Sequence, residues 1–320
     1  MRRSYITPLL IALTYSTLST AKTEREPNTH IAVPEPVIAK TQWLHGSPNC
    51  ANNLDPAFDI YKHDSQSYIL RQNKCLTFEA PFIYVLIGSN QIFVLDTGAL
   101  DSPEHSLRTQ LEGLIGLEQT TSKEWIIAHS HGHKDHYKGD AYFDNKPNTT
   151  LVPTTETAVK AYFKLEAWPK SVAEIDLGNR KLSIIPTPGH HNQGITIYDH
   201  QTQWLLTGDT LYPGYIYVKD WKDYRASINR LANFSKQHPI SALLGAHIEM
   251  MDQAGTYYPI GTSYQPEEAR LELSTAHLLE LNERLKTAAK AQEIQFDNFI
   301  IKPMSGFQKA LSRLVGWIVQ

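Results

Sequence analysis

Short runs of branched and aromatic apolar residues recur along the chain, most of them closed by glycine, aspartate or histidine. They are FIYVLIG (82–88), IFVLDTG (92–98), WIIAHS (125–130), LSIIPTPG (182–189), GITIYD (194–199), QWLLTGD (203–209) and ISALLGAH (240–247). Their length and their β-branched and aromatic content predict strands. Between them, apolar residues fall at helical spacing over 103–116, 154–166, 223–237 and 266–291. Strands separated by helices predict an α/β layered fold. The leucine and alanine stripe of 266–291 predicts a helical C-terminal segment packed on the core. No internal repeat or low-complexity tract interrupts the pattern.

The polar residues that end these runs form a second pattern. Leu95 leads into Asp96; Ala128 into His131, His133, Asp135 and His136; Ile185 into His190; Leu206 into Asp209; Leu244 into His247. Strand ends in a layered α/β protein are where residues distant in sequence are gathered. The densest stretch is WIIAHSHGHKDHYKGD (125–140), which holds four of the 14 histidines. By itself it is either a solvated polar turn or half of a metal site. His131 and His133, two apart on an extended segment, point to the same side and can reach one ion. Asp135 and His136 lie just beyond, where a turn redirects them. Neutral imidazole suits zinc at about 2.0–2.1 Å, and a carboxylate can span two cations.

Composition narrows the function classes. With 320 residues, 41% of them hydrophobic, and a formal charge of -3, the chain is neither disordered nor basic, which argues against nucleic acid as a main partner. A small-molecule substrate is expected; oligomeric state is not legible. The opening MRRSYITPLLIALTYSTLSTAK reads as a secretory signal peptide cleaved after Ala21, with export to a periplasmic or extracellular address. Its apolar stretch is shorter than the roughly 20 residues a membrane span needs, so no stable span is expected in the mature chain. Residues 22–45, with Pro27, Pro34 and Pro36, read as an extended leader, and 46–320 as one domain including C-terminal helices. The only cysteines, Cys50 and Cys75, are expected to pair in an exported protein, the alternative being two free thiols.

HSHGHKDH matches an H-x-H-x-D-H signature, and with VLDTG, TPGH, TGDT and GAH in order the chain resembles the metallo-β-lactamase superfamily over roughly residues 80–250. The resemblance implies a four-layer αβ/βα sandwich. It also implies two zinc ions per chain, one held by His131, His133 and His190, the other by Asp135, His136 and His247, with Asp209 bridging. Asp96 would support the ligand loops through hydrogen bonds. A hydroxide shared by the two ions would be the nucleophile, and Asp135 would orient it or take its proton. His129 and His191 read as supporting or polar loop residues. Asp209 stands where β-lactamases of this superfamily are expected to carry cysteine or serine, so the ligand set is glyoxalase II-like. A dinuclear zinc hydrolase acting on an ester, thioester, lactone or amide carbonyl is therefore expected. The alternatives are a β-lactamase and a mononuclear-iron oxidoreductase similar to persulfide dioxygenases. The aromatic segment after Asp209, with Tyr212, Tyr215 and Trp221, either walls an apolar substrate pocket or packs a loop onto the sheet. QAGTYYPIGTSYQP (253–266) is placed on the pocket's other side by the same reasoning.

Overall fold

Residue 38 and residues 41–309 are described by the structure, a computed structural model, and they fall in one unit, Pro36–Gln320. The expected signal peptide (1–21) and most of the expected leader (22–45) lie outside the described residues. A first sheet is built from β1 (Phe58–Lys62), β2 (Ser67–Gln72), β3 (Phe82–Ile87), β4 (Gln91–Leu95), β5 (Glu124–Ala128) and β6 (Thr149–Leu151), in that spatial order. β1 to β4 form an antiparallel meander, whereas β5 and β6 are added in parallel. The crossover between β4 and β5 carries α1 (Leu107–Ile115) and α2 (Leu117–Ser122); α3 (Lys134–Tyr137) is a single turn after β5, and α4 (Glu156–Tyr162) follows β6.

The second sheet repeats the plan. β7 (Ala173–Asp176), β8 (Lys181–Pro186), β9 (Ile195–Asp199) and β10 (Trp204–Gly208) form an antiparallel meander, and β12 (Ala242–Gly245) joins β10 in parallel, with β13 (Glu272–Leu273) at the edge. The intervening β11 (Tyr215–Val218) leaves this sheet. It pairs in parallel with β15 (Ile300–Pro303), whose other neighbour is β14 (Ile294–Gln295). α5 (Trp221–Phe234) and α6 (Thr275–Thr287) complete the chain order.

Strands buried on both faces need a layer on each side. Ile69, Phe82, Leu86 and Phe93 of the first sheet meet Ile184, Ile197, Trp204 and Leu206 of the second in the inner core. On the outer face of the first sheet, Val85, Val94 and Ile127 pack with Leu107, Leu111 and Ile115 of α1. Outside the second sheet, Leu205 and Leu243 pack with Ile228 and Leu231 of α5 and Leu278 and Leu281 of α6. This is the expected four-layer αβ/βα sandwich. Ile38 and Trp43 belong to the inner core, with Trp43 edge-on to Phe82 at 4.9 Å, so the packed structure takes in part of the segment read as leader.

Two buried ion pairs tie distant segments. Arg180, 1% exposed at its side chain, donates to both carboxylate oxygens of Asp199 (3.1 and 2.6 Å), to Ser67 Oγ and to the Gln66 carbonyl, linking the second sheet to the first. Arg71 of β2 holds Glu268 through two hydrogen bonds of 2.5 and 2.7 Å. Cys50 and Cys75 form a disulfide.

Helical spacing overstated the C-terminal helix. Within 266–291 only Thr275–Thr287 is helical; Glu272–Leu273 pairs with β12, and the chain returns to strand at Ile294. The 103–116 helix is broken at Ser106, which caps α1 by accepting from the Thr109 N–H.

Candidate metal centre

The site forms where strands of both sheets end. β4 opens into Asp96, whose φ of 69° is a left-handed conformation that aspartate tolerates. Its carboxylate accepts from Ser130 N (2.7 Å), Ser130 Oγ (2.9 Å) and His136 Nδ1 (2.9 Å), which anchors the loop between β5 and α3. From the second sheet, Gly208 ends β10 at φ 51°, and a Cβ there would lie 2.5 Å from Ser130 Cβ. Only glycine lets β10 come this close to the histidine loop, and Asp209 follows it. Gly189 plays the same part before His190, since a Cβ there would meet the Tyr224 backbone at 2.5 Å.

Ring orientations are set by carbonyls. His190 Nδ1 donates to the Tyr217 carbonyl of β11 at 2.7 Å, and His247 Nδ1 to the Glu79 carbonyl at 3.0 Å. A carbonyl can only accept, so each Nδ1 carries the proton and each Nε2 presents a lone pair. The same logic applies to His136, whose Nδ1 faces the Asp96 carboxylate.

Two donor groups result: His131, His133, His190 and Asp209; and Asp135, His136, Asp209 and His247. Within each, the ligand atoms lie within 4.8 Å of one another. His133 Nδ1 is 2.8 Å from His131 Nε2 and 3.0 Å from His190 Nε2. Asp209 belongs to both groups. Its Oδ2 lies 3.7 Å from His131 Nε2 and 3.6 Å from the Nε2 atoms of His190 and His136, and its Oδ1 lies 3.5 Å from His247 Nε2. Asp135 Oδ2 stands 3.1 Å from His136 Nε2 and 3.3 Å from His247 Nε2, yet all three atoms are buried without a hydrogen bond. Leaving buried polar atoms unsatisfied costs about 1–3 kcal/mol each. Lone pairs converging on a common point, from imidazole and carboxylate, fit divalent cations.

The electrostatics agree with such a role. Burial, reinforced by the neighbouring imidazoles, holds His131 and His133 well below the usual histidine range, in the neutral form that ligates; burial also lowers His190. Burial opposes protonation of His136 and His247 as well, but there the carboxylates prevail, Asp135 foremost for His136 and Asp209 for His247. His136 is raised well above its ordinary value and His247 to about 9. With Nδ1 already committed, the added proton falls on Nε2, the atom aimed at Asp135 and Asp209, so a cation binding to this group would displace a proton from each ring.

Every residue expected to ligate a metal is brought to this centre, and Asp96 supports it from beneath. His129 lies behind, with Nε2 2.9 Å from Asp140 Oδ1, and His191 packs its ring 5.0 Å from that of His133. The aromatic segment divides. Tyr212 stands 5.6 Å, ring to ring, from His247 and lines a cleft beside the centre. Tyr215 instead stacks on Tyr257 at 4.9 Å, outside that lining. Trp221 is a correction. It is 9% exposed, sits in the outer core of the second sheet and donates Nε1–H to the Ala288 carbonyl, so it walls no substrate pocket.

Other cleft residues were not foreseen: Lys74, Phe78, Glu79, Tyr217 and Glu249, with the 258–262 loop. Burial, then Asp135, raises the Glu79 carboxyl to about 7; burial raises Glu249. Glu249 lies two residues beyond His247, a spacing that was a usable signal. The 253–266 segment does cover the cleft's far side, through Tyr258 and Ile260.

The family model for the metallo-beta-lactamase superfamily matches residues 76–243, just over half of the chain. The chain belongs to the metallo-β-lactamase superfamily. The matched span holds Asp96, the histidine loop, His190 and Asp209, and it stops just short of His247. Among curated members, the acyl-coenzyme A thioesterase MBLAC2 of Homo sapiens is 25% identical over 202 residues, 52% of this chain and 72% of that protein. Its namesake in Gallus gallus is 29% identical over 96 residues, 28% of this chain and 34% of that protein, so that match spans about a third of the relative's length. A solved metallo-beta-lactamase from Pontibacter korlensis superposes with a TM-score of 0.48 at 16% identity, covering 72% of this chain and 99% of that one.

Proposed function

We propose that this superfamily member is an exported, zinc-dependent hydrolase of thioesters and related carboxylic esters, with two ions per chain. The observation that carries this reading is the sharing of Asp209 by two complete donor groups, one of which meets the wall of a neighbouring cleft through Tyr212 and Glu79. Thioesters lead among carbonyl substrates because the curated relatives are named as acyl-coenzyme A thioesterases. Export is supported by the Cys50–Cys75 disulfide, a feature of oxidising compartments.

His131, His133 and His190 would hold one ion, Asp135, His136 and His247 the other, and Asp209 would touch both. Divalent cations so placed supply Lewis acidity, which acidifies water and polarises a carbonyl. The protein's own groups do the rest. Asp135 Oδ2, buried and without a hydrogen bond, is positioned to orient a water and receive its proton. Tyr212 and Tyr217 flank the space in which an acyl group lies, and burial of the centre limits competing water.

Metal analysis of protein purified without chelator is expected to give about two zinc equivalents, since seven ligand residues exceed what one tetrahedral ion uses. A panel of thioesters, lactones, phosphodiesters and β-lactams tests the reaction. Turnover of a β-lactam or phosphodiester orders of magnitude above every thioester and ester would overturn the assignment. Asp209→Asn and His190→Ala are each expected to remove most turnover while the sheets stay folded.

A further inference from the structure

The cleft beside the metal centre has an unusual lining for an enzyme whose relatives are named for an anionic substrate. Its polar wall carries two carboxylates, Glu79 and Glu249. Glu249 is fixed, because its Oε2 accepts from the Tyr215 N–H at 2.7 Å and from the Tyr212 hydroxyl at 3.2 Å. Glu79 is fixed through its backbone, whose carbonyl accepts from His247. Glu79 thus adjoins His247 through its backbone, and Glu249 reaches that ring through Tyr212. Among the described residues the only cation of the lining, Lys74, is 3% exposed; its ammonium donates to the Phe78 carbonyl at 3.1 Å, and Glu268, Glu249 and Glu79 favour its charged form against burial. Arg71 nearby is engaged by Glu268. The rest of the wall is aromatic: Phe78, Tyr212, Tyr217 and Tyr258.

Carboxylates set among aromatic faces, with no lining cation turned to answer an anion, are how proteins bind ammonium groups. The ring quadrupoles attract a diffuse positive charge, and the carboxylates neutralise it. Resting on the hydrolase reading above, we infer that the cleft selects carbonyl substrates with an ammonium group near the scissile bond, and that Glu249 and Glu79 determine this specificity. An anionic partner would face like charge there wherever these carboxyls are ionised. A neutral one would forgo the attraction.

The holoenzyme is tested with two thioesters of one acyl group, butanoylthiocholine and S-(2-hydroxyethyl) thiobutanoate. Thiocholine is intrinsically the better leaving group, so the quantity read is the change in the ratio of their kcat/KM values between wild type and variants. Glu249→Gln is expected to lower the cation's advantage about tenfold, mainly through KM, and Glu79→Gln is a second, independent variant should the first fold poorly. The same ratio in both folded variants as in wild type overturns the inference and leaves the hydrolase reading standing. Binding is read separately by calorimetry with two thioethers that have no carbonyl to cleave, S-butylthiocholine and 2-(butylthio)ethanol. About tenfold tighter binding of the cation, lost in Glu249→Gln, supports the inference even if neither thioester is turned over, an outcome that would count against the hydrolase reading alone. Equal binding of the two overturns it.

Discussion

Replacing Asp96 by asparagine removes one charge and one acceptor at nearly constant shape, beneath the histidine loop where both are in use. The carboxylate accepts three hydrogen bonds, from Ser130 N, Ser130 Oγ and His136 Nδ1. An amide offers one oxygen and one NH₂. If its oxygen serves Ser130 N, the NH₂ faces His136 Nδ1, and that ring must move its proton to Nε2, the atom aimed at Asp135 and Asp209. If the amide flips, its NH₂ opposes the Ser130 N–H and the loop loses its anchor. With the oxygen on Ser130 N, the orientation that keeps the loop's backbone bond, the second donor group is weakened while His131 and His133 keep their anchor. Losing such a supporting hydrogen bond typically costs 10- to 100-fold in metal affinity, about 1.4–2.7 kcal/mol. Competition with a chromogenic zinc chelator, monitored by equilibrium absorbance, is the assay, with far-ultraviolet circular dichroism as the folding control. One ion is expected to stay as tight as in wild type and the other to loosen by that factor. Two unchanged affinities would refute the argument that Asp96 sets the His136 tautomer.

Three other outcomes are expected. Asp199→Asn leaves Arg180 charged and buried between the sheets, and urea unfolding should show a loss of about 3–5 kcal/mol; a loss under about 1 kcal/mol would mean the pair does not hold the sheets together. Lys74 is lowered to about 7 by burial, then by Arg71, so between that value and about 10.4 the unfolded chain binds more protons than the folded one. Stability should therefore rise with pH from 7 to 9, by up to about 1.4 kcal/mol per unit from this group, and Lys74→Met should flatten the rise; an identical slope in the variant would contradict the burial of its charge. Replacing Cys50 and Cys75 together by alanine opens a loop spanning 25 positions, and a loss of about 3 kcal/mol is expected in the same assay, against none if the bridge does not constrain the unfolded chain.

The metal centre was legible because its pieces are local. His131, His133, Asp135 and His136 share one loop, and Asp96, His190, Asp209 and His247 each sit just beyond an apolar run that is a strand in its own right. Elements whose stability comes from partners far along the chain were not legible. β2 contains Arg71, a poor core residue until Glu268, 197 positions later, neutralises it. β11 reads as an aromatic loop, and its strand geometry depends on Ile300–Pro303. Trp221 was misplaced for the same reason: its indole N–H is satisfied by Ala288, 67 positions away, which no local pattern announces. Glu79 and Glu249 passed unnoticed because a glutamate in a polar stretch looks solvated until the fold turns it into a cleft.

The parallel pairing of β11 with β15 has a consequence for how the protein is made. β11 carries the Tyr217 carbonyl that orients His190, and β11 takes its strand partner from residues 300–303. A ribosome delivers the chain from the amino end, so Asp96, the histidine loop and Asp209 are all synthesised while that partner is still untranslated. The metal centre is accordingly finished last, and a nonsense codon shortly before residue 300 would yield a chain with every candidate ligand present and the clamp on one of them missing.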